Sequence, residues 1–136
     1  MQRFFAGRLL GRKTLLGLTV LTGMLIFFAS VVPHETVEKS FYPQISDLFD
    51  ASVHFCGFFL FNFLLAGCVS AVFRGRLTGK AVFLYFLVGI GWGVLCEGSQ
   101  LLAATRGFQI MDVAANTLPS LAVFYIFRRI FRSPHF

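Results

Sequence analysis

The sequence predicts an all-α protein, a four-transmembrane-helix bundle forming one domain over residues 1–136. Three observations predict it. Of the 136 residues, 57% are hydrophobic and 13% charged, whereas a soluble domain runs near 45–50% apolar and about 25% charged. Four apolar stretches, separated by short charged breaks, approach the ~20 residues that a helix needs to cross the bilayer core. The basic residues, finally, gather at one end of those stretches, the pattern that orients membrane helices. Nineteen phenylalanines against a single tryptophan agree, since Phe is among the cheapest residues to insert.

The chain opens basic and then turns apolar, as a secretory signal does. Its uncharged run from Thr14 to Val32 nevertheless extends for about 19 residues, beyond the ~7–15 of a signal core, and no convincing small-x-small cleavage site follows. It reads as a retained first span at residues 14–32. Pro33 closes that span, because the residue before a proline is pushed out of helical geometry. The second span covers residues 51–73, with His54 and Asn62 as polar interruptions, and the third covers 81–103 and contains Glu97. The fourth, at 113–127, is short and carries Pro119. Its ends rely on snorkelling by Arg128 and Arg129 and on shelter from neighbouring helices. Between the first two spans, Phe41, Ile45, Leu48 and Phe49 have helical spacing. They predict a short interfacial helix starting near Pro43, whose favoured role is to lie on the headgroups and whose alternative role is to roof the polar cluster.

Orientation follows from Lys and Arg, which favour the cytoplasmic side. Arg3, Arg8, Arg12 and Lys13 precede the first span, Arg74, Arg76 and Lys80 separate the second and third, and Arg128, Arg129 and Arg132 follow the fourth. Only Lys39 and Arg106 fall on the other side. Both termini are therefore expected in the cytoplasm, with residues 33–50 and 104–112 facing outward. The net charge of +6 does not imply a nucleic-acid partner, because it sits in short runs at helix ends and forms no basic stripe on a soluble face. Cys56, Cys68 and Cys96 lie inside apolar stretches without CxxC or Cys/His metal spacing. They read as packing residues, and no metal or cofactor is expected.

The few polar residues fall where the outer ends of the spans should meet. At about 100° per residue, Gly89, Gly93, Glu97, Gln100 and Ala104 occupy roughly an 80° arc of the third span, and Asp112, Asn116 and Ser120 a similar arc of the fourth. Asp50 and His54 stand one turn apart at the outer end of the second. Gly89-xxx-Gly93 lets another helix approach closely and reads as packing within the bundle. Asn62 and Ser120, taken singly, also read as packing groups that hydrogen-bond across helices. The whole constellation of Asp50, His54, Glu97, Gln100, Arg106, Asp112 and Asn116 reads differently, because several ionisable groups at one depth are costly without a use. Arg106 is suited to bridge carboxylates or to hold an anion with its planar fork.

Two blocks of these residues resemble a known family. Asp50-Ala-Ser-Val-His54-Phe55, with Phe58 four residues after the His, is similar to a D-K-x-x-H-F block followed by an aromatic. Glu97-x-x-Gln100, then Arg106-x-Phe108-x-x-x-Asp112-x-x-x-Asn116, is similar to E-x-x-Q and R-x-F-x-x-x-D-x-x-x-N. These are blocks of the VanZ-like family of small bacterial membrane proteins, and the likeness covers most of residues 50–125. Ala51 stands where the family usually has lysine, and Pro119 where a small residue is usual, which argues against close helix packing after Asn116. The resemblance implies a four-span fold in the bacterial cytoplasmic (inner) membrane, a polar site, and a link to glycopeptide antibiotic resistance in the cell envelope.

The leading expectation is an outward-facing polar pocket, surrounded by membrane lipids, that binds or processes an envelope-related ligand. A lipid-linked headgroup, a cell-wall precursor or a glycopeptide fits that depth. Arg106 would engage an anionic group while Gln100 and Asn116 supply hydrogen bonds. An enzyme is the alternative: a membrane-embedded hydrolase or transferase in which Glu97 and Asp112 share acid and base duties and His54 carries protons. No recognised nucleophile motif accompanies them. In a third reading the network only joins helices within a membrane complex. Transport fits least, since four short spans without an internal repeat offer little alternating-access machinery.

Overall fold

The computed structural model describes residues 11–31, 43–103 and 110–132, with side chains for 11–31, 52–100 and 113–130. It contains four α-helices: α1 (Arg12–Val31), α2 (Pro43–Val72), α3 (Gly79–Ala103) and α4 (Ile110–Arg132). Among the described residues, three segments are long and apolar enough to cross a membrane, namely Arg12–Val31, Ser52–Val72 and Gly79–Gln100. The protein is thus an all-α bundle of four helices and a multi-pass membrane protein.

Two helices, α2 and α4, run well past the spans the sequence predicts. The amphipathic segment near Pro43 is not a separate helix but the opening of α2. Proline at the first helical position is harmless, since its missing N–H would have no intrahelical partner there. No glycine or further proline then intervenes before Gly57, so the helix continues into the membrane segment. Whether Ile45, Leu48 and Phe49 rest on headgroups lies outside the described side chains. At the other end, α4 extends beyond residues 113–127 in both directions. Hydropathy marks where the chain becomes polar, whereas the backbone ladder continues as long as no residue breaks it.

α2 and α3 each pack against all three other helices, while α1 and α4 hardly meet. Cross-helix contacts give an up-and-down arrangement. Thr19 on α1 lies 3.2 Å from Cys68 on α2, and Gly23 lies beside Phe61, so those helices run antiparallel. The core fills the space between α2, α3 and α4 with Phe61, Leu65, Val69, Tyr85, Val123 and Phe127. Phe63 meets Phe127 edge-on at 5.9 Å. α1 is peripheral: 22% of its span is buried, against 39% for that of α2. It is held by Trp92, whose indole N–H donates to the Gly23 carbonyl at 3.2 Å.

Hydroxyls along the spans are mostly satisfied within their own helix. Thr19 donates to the Leu15 carbonyl at 2.8 Å, Ser30 to Ile26 at 2.9 Å and Ser99 to Cys96 at 2.6 Å. Such local bonds let polar side chains sit in an apolar medium without a distant partner. The α2–α3 turn is closed at both ends. Arg74 adopts the left-handed conformation (φ 55°), and the Gly75 N–H donates back to the Ser70 carbonyl at 2.7 Å, a Schellman-type helix stop. Thr78 then caps α3 by accepting the Ala81 N–H at 3.2 Å.

Three details test the sequence reading more finely. Cys96 is buried and Cys68 half-buried, but Cys56 is exposed. An apolar stretch in a membrane helix has a lipid-facing side, so residence in it does not imply packing. Pro119 does not interrupt close packing either: Pro119, Ser120 and Val123 are all buried. The proline removes one backbone donor but leaves a compact side chain against the neighbouring helices.

The Gly89–Gly93 pair, finally, faces inward within the chain, as its packing role required. A Cβ on Gly89 would lie 2.5 Å from Asn62 Oδ1 and 3.2 Å from Ser120 Oγ, and one on Gly93 would lie 3.2 Å from Asn116 Cβ. Gly91, two residues from each, has open space around it. Gly89→Ala is therefore expected to lower the thermal stability of the detergent-solubilised protein by about 1–3 kcal/mol, the usual cost of overpacking. Gly91→Ala should leave it unchanged or slightly raise it, alanine being the better helix former. Equal melting curves for the two variants would contradict this packing.

Candidate functional site

The polar residues of α3 recur at helical spacing, and one face of the helix therefore carries Tyr85, Gly89, Gly93, Glu97 and Gln100, all buried. Opposite them, α4 presents Asn116 and Ser120, and α2 presents Asn62. The result is two polar tiers between the three helices. In the first, Ser120 Oγ donates to Asn62 Oδ1 at 3.0 Å, and Asn62 Nδ2 donates to the Phe58 carbonyl at 2.9 Å. Below it, the Tyr85 hydroxyl donates to the Ser120 carbonyl at 2.9 Å. Asn62 and Ser120 thus act as packing groups, as the sequence suggested.

The second tier, two turns along α3, is chemically different. Asn116 Nδ2 donates to Glu97 Oε1 at 2.7 Å, joining α4 to α3. Glu97 is 5% exposed, and Gln100 and Asn116 are each 2% exposed. Among the described residues, neither Gln100 Nε2 nor Asn116 Oδ1 has a hydrogen-bond partner. One is an amide donor and the other an amide acceptor, so the tier offers both halves of a hydrogen-bonding ligand's needs beside a carboxylate.

His54 is half-buried and stacks on Phe58, with ring centroids 6.5 Å apart. It also contributes to a groove between α1 and α2, with Thr22, Ile26 and Ala29 across from it. Phe58, fully buried, would lie 3.7 Å from a Cβ on Gly93 and so stands between His54 and the second tier. The remaining sequence candidates lie outside the described side chains: Asp50 and Asp112 belong to helical segments of α2 and α4, and Arg106 falls between α3 and α4. Among the described residues no group of three His, Cys, Asp or Glu side chains is arranged to hold a metal ion.

Tyr85 was missed by the sequence reading. Its signal was available: it stands four residues before Gly89, on the same face as Glu97. A tyrosine within an apolar run looks like one more aromatic until the carbonyl it reaches is known. No protein-family model matches this chain, and no curated protein or solved structure matches it either.

The first tier yields a double-mutant cycle. Ser120→Ala and Asn62→Leu are each expected to destabilise the protein, and their combination to cost less than the sum. The coupling should be about 0.5–2 kcal/mol, the range of hydrogen bonds between membrane helices. Thermal melting of the four proteins in one detergent measures it, and strict additivity would remove the bond from the account of the fold.

Proposed function

We propose that this chain is a VanZ-like protein of the bacterial cytoplasmic membrane that binds an envelope-related ligand in an outward-facing polar pocket. The observation that carries this reading is the pair in the second tier that is unmet among the described residues, Gln100 Nε2 and Asn116 Oδ1, buried beside Glu97. A hydrogen bond between membrane helices averages about 0.6 kcal/mol. Each buried polar atom left unpaired costs about 1–3 kcal/mol. A tier that served only to join α3 to α4 would therefore lose more than it gains, whereas a bound group with its own donor and acceptor offsets the deficit. In this proposal Arg106, with Asp50 and Asp112, contributes the outer part of the same pocket, whereas His54 lies behind Phe58 and outside it. A lipid-linked headgroup or precursor with an anionic group suits such a residue set, as does a glycopeptide.

In this reading α4 is a fourth span. Its polar residues Asn116 and Ser120 are turned inward, which shelters them from hydrocarbon and compensates for its lower hydropathy. Both termini are then cytoplasmic, following the Lys and Arg distribution. Single cysteines replacing Lys39 and Arg76 in a cysteine-free background test the topology. Position 39 should react with an impermeant thiol reagent from outside the cell and position 76 should not; the reverse pattern would place the pocket on the cytoplasmic side.

The competing reading, in which the second tier is only a joint between helices, is favoured by the Asn116–Glu97 hydrogen bond. Glu97→Gln separates the two. It preserves the shape of the side chain and an acceptor for Asn116 while removing the charge. If the tier is a binding site, a bacterial host expressing this variant should lose any change in teicoplanin susceptibility that the unmodified chain confers, with membrane level and melting temperature unchanged. A parallel loss of stability and phenotype would assign the tier to packing.

A further inference from the structure

The groove between α1 and α2 is a second concave feature, on the side of α2 away from the polar tiers. Thr22, Ile26 and Ala29 form one wall, and Val53, His54 and Gly57 the other, around a cavity of about 240 Å³. Gly57 sets its floor: a Cβ there would stand 3.4 Å from Ile26 Cγ1, so the glycine lets the two helices close beneath the opening. The rim is apolar and open. Leu25 is 61% exposed and Val53 52% exposed, and both belong to segments that cross the membrane. The groove is therefore continuous with the surface that hydrocarbon covers, and it is entered sideways from the bilayer.

Its polarity is graded. His54 stands one helical turn after Asp50, the last charged residue before the apolar run of α2, which puts it near the boundary between headgroups and hydrocarbon. Gly57 and Ile26 lie deeper. An imidazole at headgroup depth offers a hydrogen-bond donor, and in its cationic form a charge, to a phosphate. The walls below it, apolar apart from Thr22, match an acyl chain. We propose that this groove is a binding site for one glycerophospholipid, with an acyl chain between α1 and α2 and the phosphate at His54. The site depends on α1 and α2 crossing the membrane and not on what the polar pocket holds.

Trp92, the single tryptophan, is a built-in reporter. Its indole bonds the carbonyl of Gly23, the residue after Thr22 in the groove wall. The full chain in detergent micelles is titrated with phosphatidylglycerol carrying brominated acyl chains, and Trp92 fluorescence is followed. Quenching should saturate near one lipid per protein. Gly57→Leu, which fills the floor, should shift half-quenching at least tenfold upward, and His54→Ala severalfold. Because Gly57→Leu also presses on Ile26, the decisive variant is Ala29→Phe. Ala29 is exposed on α1, so a larger side chain there covers the opening without entering the core. A tenfold shift in Ala29→Phe with an unchanged melting temperature supports the site. Quenching of Ala29→Phe identical to that of the unmodified chain, or quenching that rises without saturation, overturns it.

Discussion

Within hydrocarbon there is no water to accept or donate a hydrogen bond, so every polar group carried into the bundle must be met by the protein itself. The arrangement of α2, α3 and α4 depends on one solution to that constraint. Asn62 and Ser120 bond across Gly89, which leaves room for them only because it has no side chain. Asn62 Nδ2 donates to the Phe58 carbonyl, and Tyr85 meets the Ser120 carbonyl from below. Apolar packing alone would not fix this register, since lipid tails are as apolar as the helix faces they compete with. The polar junction fixes it, and Phe61, Leu65, Val69, Val123 and Phe127 pack around it.

The same helices carry a second polar tier two turns away, made of similar residue types but left in a different state. In the first tier the described bonds answer one another. In the second, Asn116 reaches Glu97, yet its own carbonyl oxygen and the Gln100 amide face no partner among the described residues. This contrast separates a joint from a candidate site more sharply than residue type does. An Asn on an inward helix face can serve either purpose, and the identity of the atom it meets decides which.

α1 belongs to the bundle on other terms. It is tied by the Trp92 indole at Gly23 and by the close approach of Thr19 to Cys68, and most of its surface faces outward. A loosely flanked helix beside a tightly locked trio leaves a seam. Gly57 narrows that seam at its base and His54 lines it beside the apolar side chains, so the seam has both a floor and a polar group.

Much of this was legible in the chain. Length and continuity of the apolar runs determined the helices, because a backbone in lipid has almost no other way to satisfy its own groups. The 3.6-residue period placed Gly89, Gly93, Glu97 and Gln100 on one inward face. Periodicity is local, however, and pairing is not. The sequence set Ser120 apart as a packing group and Asn116 as a site residue, but it did not show their partners: that Ser120 completes a bond with Asn62, while Asn116 reaches a carboxylate and leaves its oxygen open among the described residues. Nor could it show that Pro119 is accommodated, that Tyr85 serves the junction, that the segment at Pro43 joins α2, or that Cys56 faces away from the core. Each of those depends on which atom of another helix stands a few ångströms away, a fact created by the tertiary packing of segments that are remote in sequence.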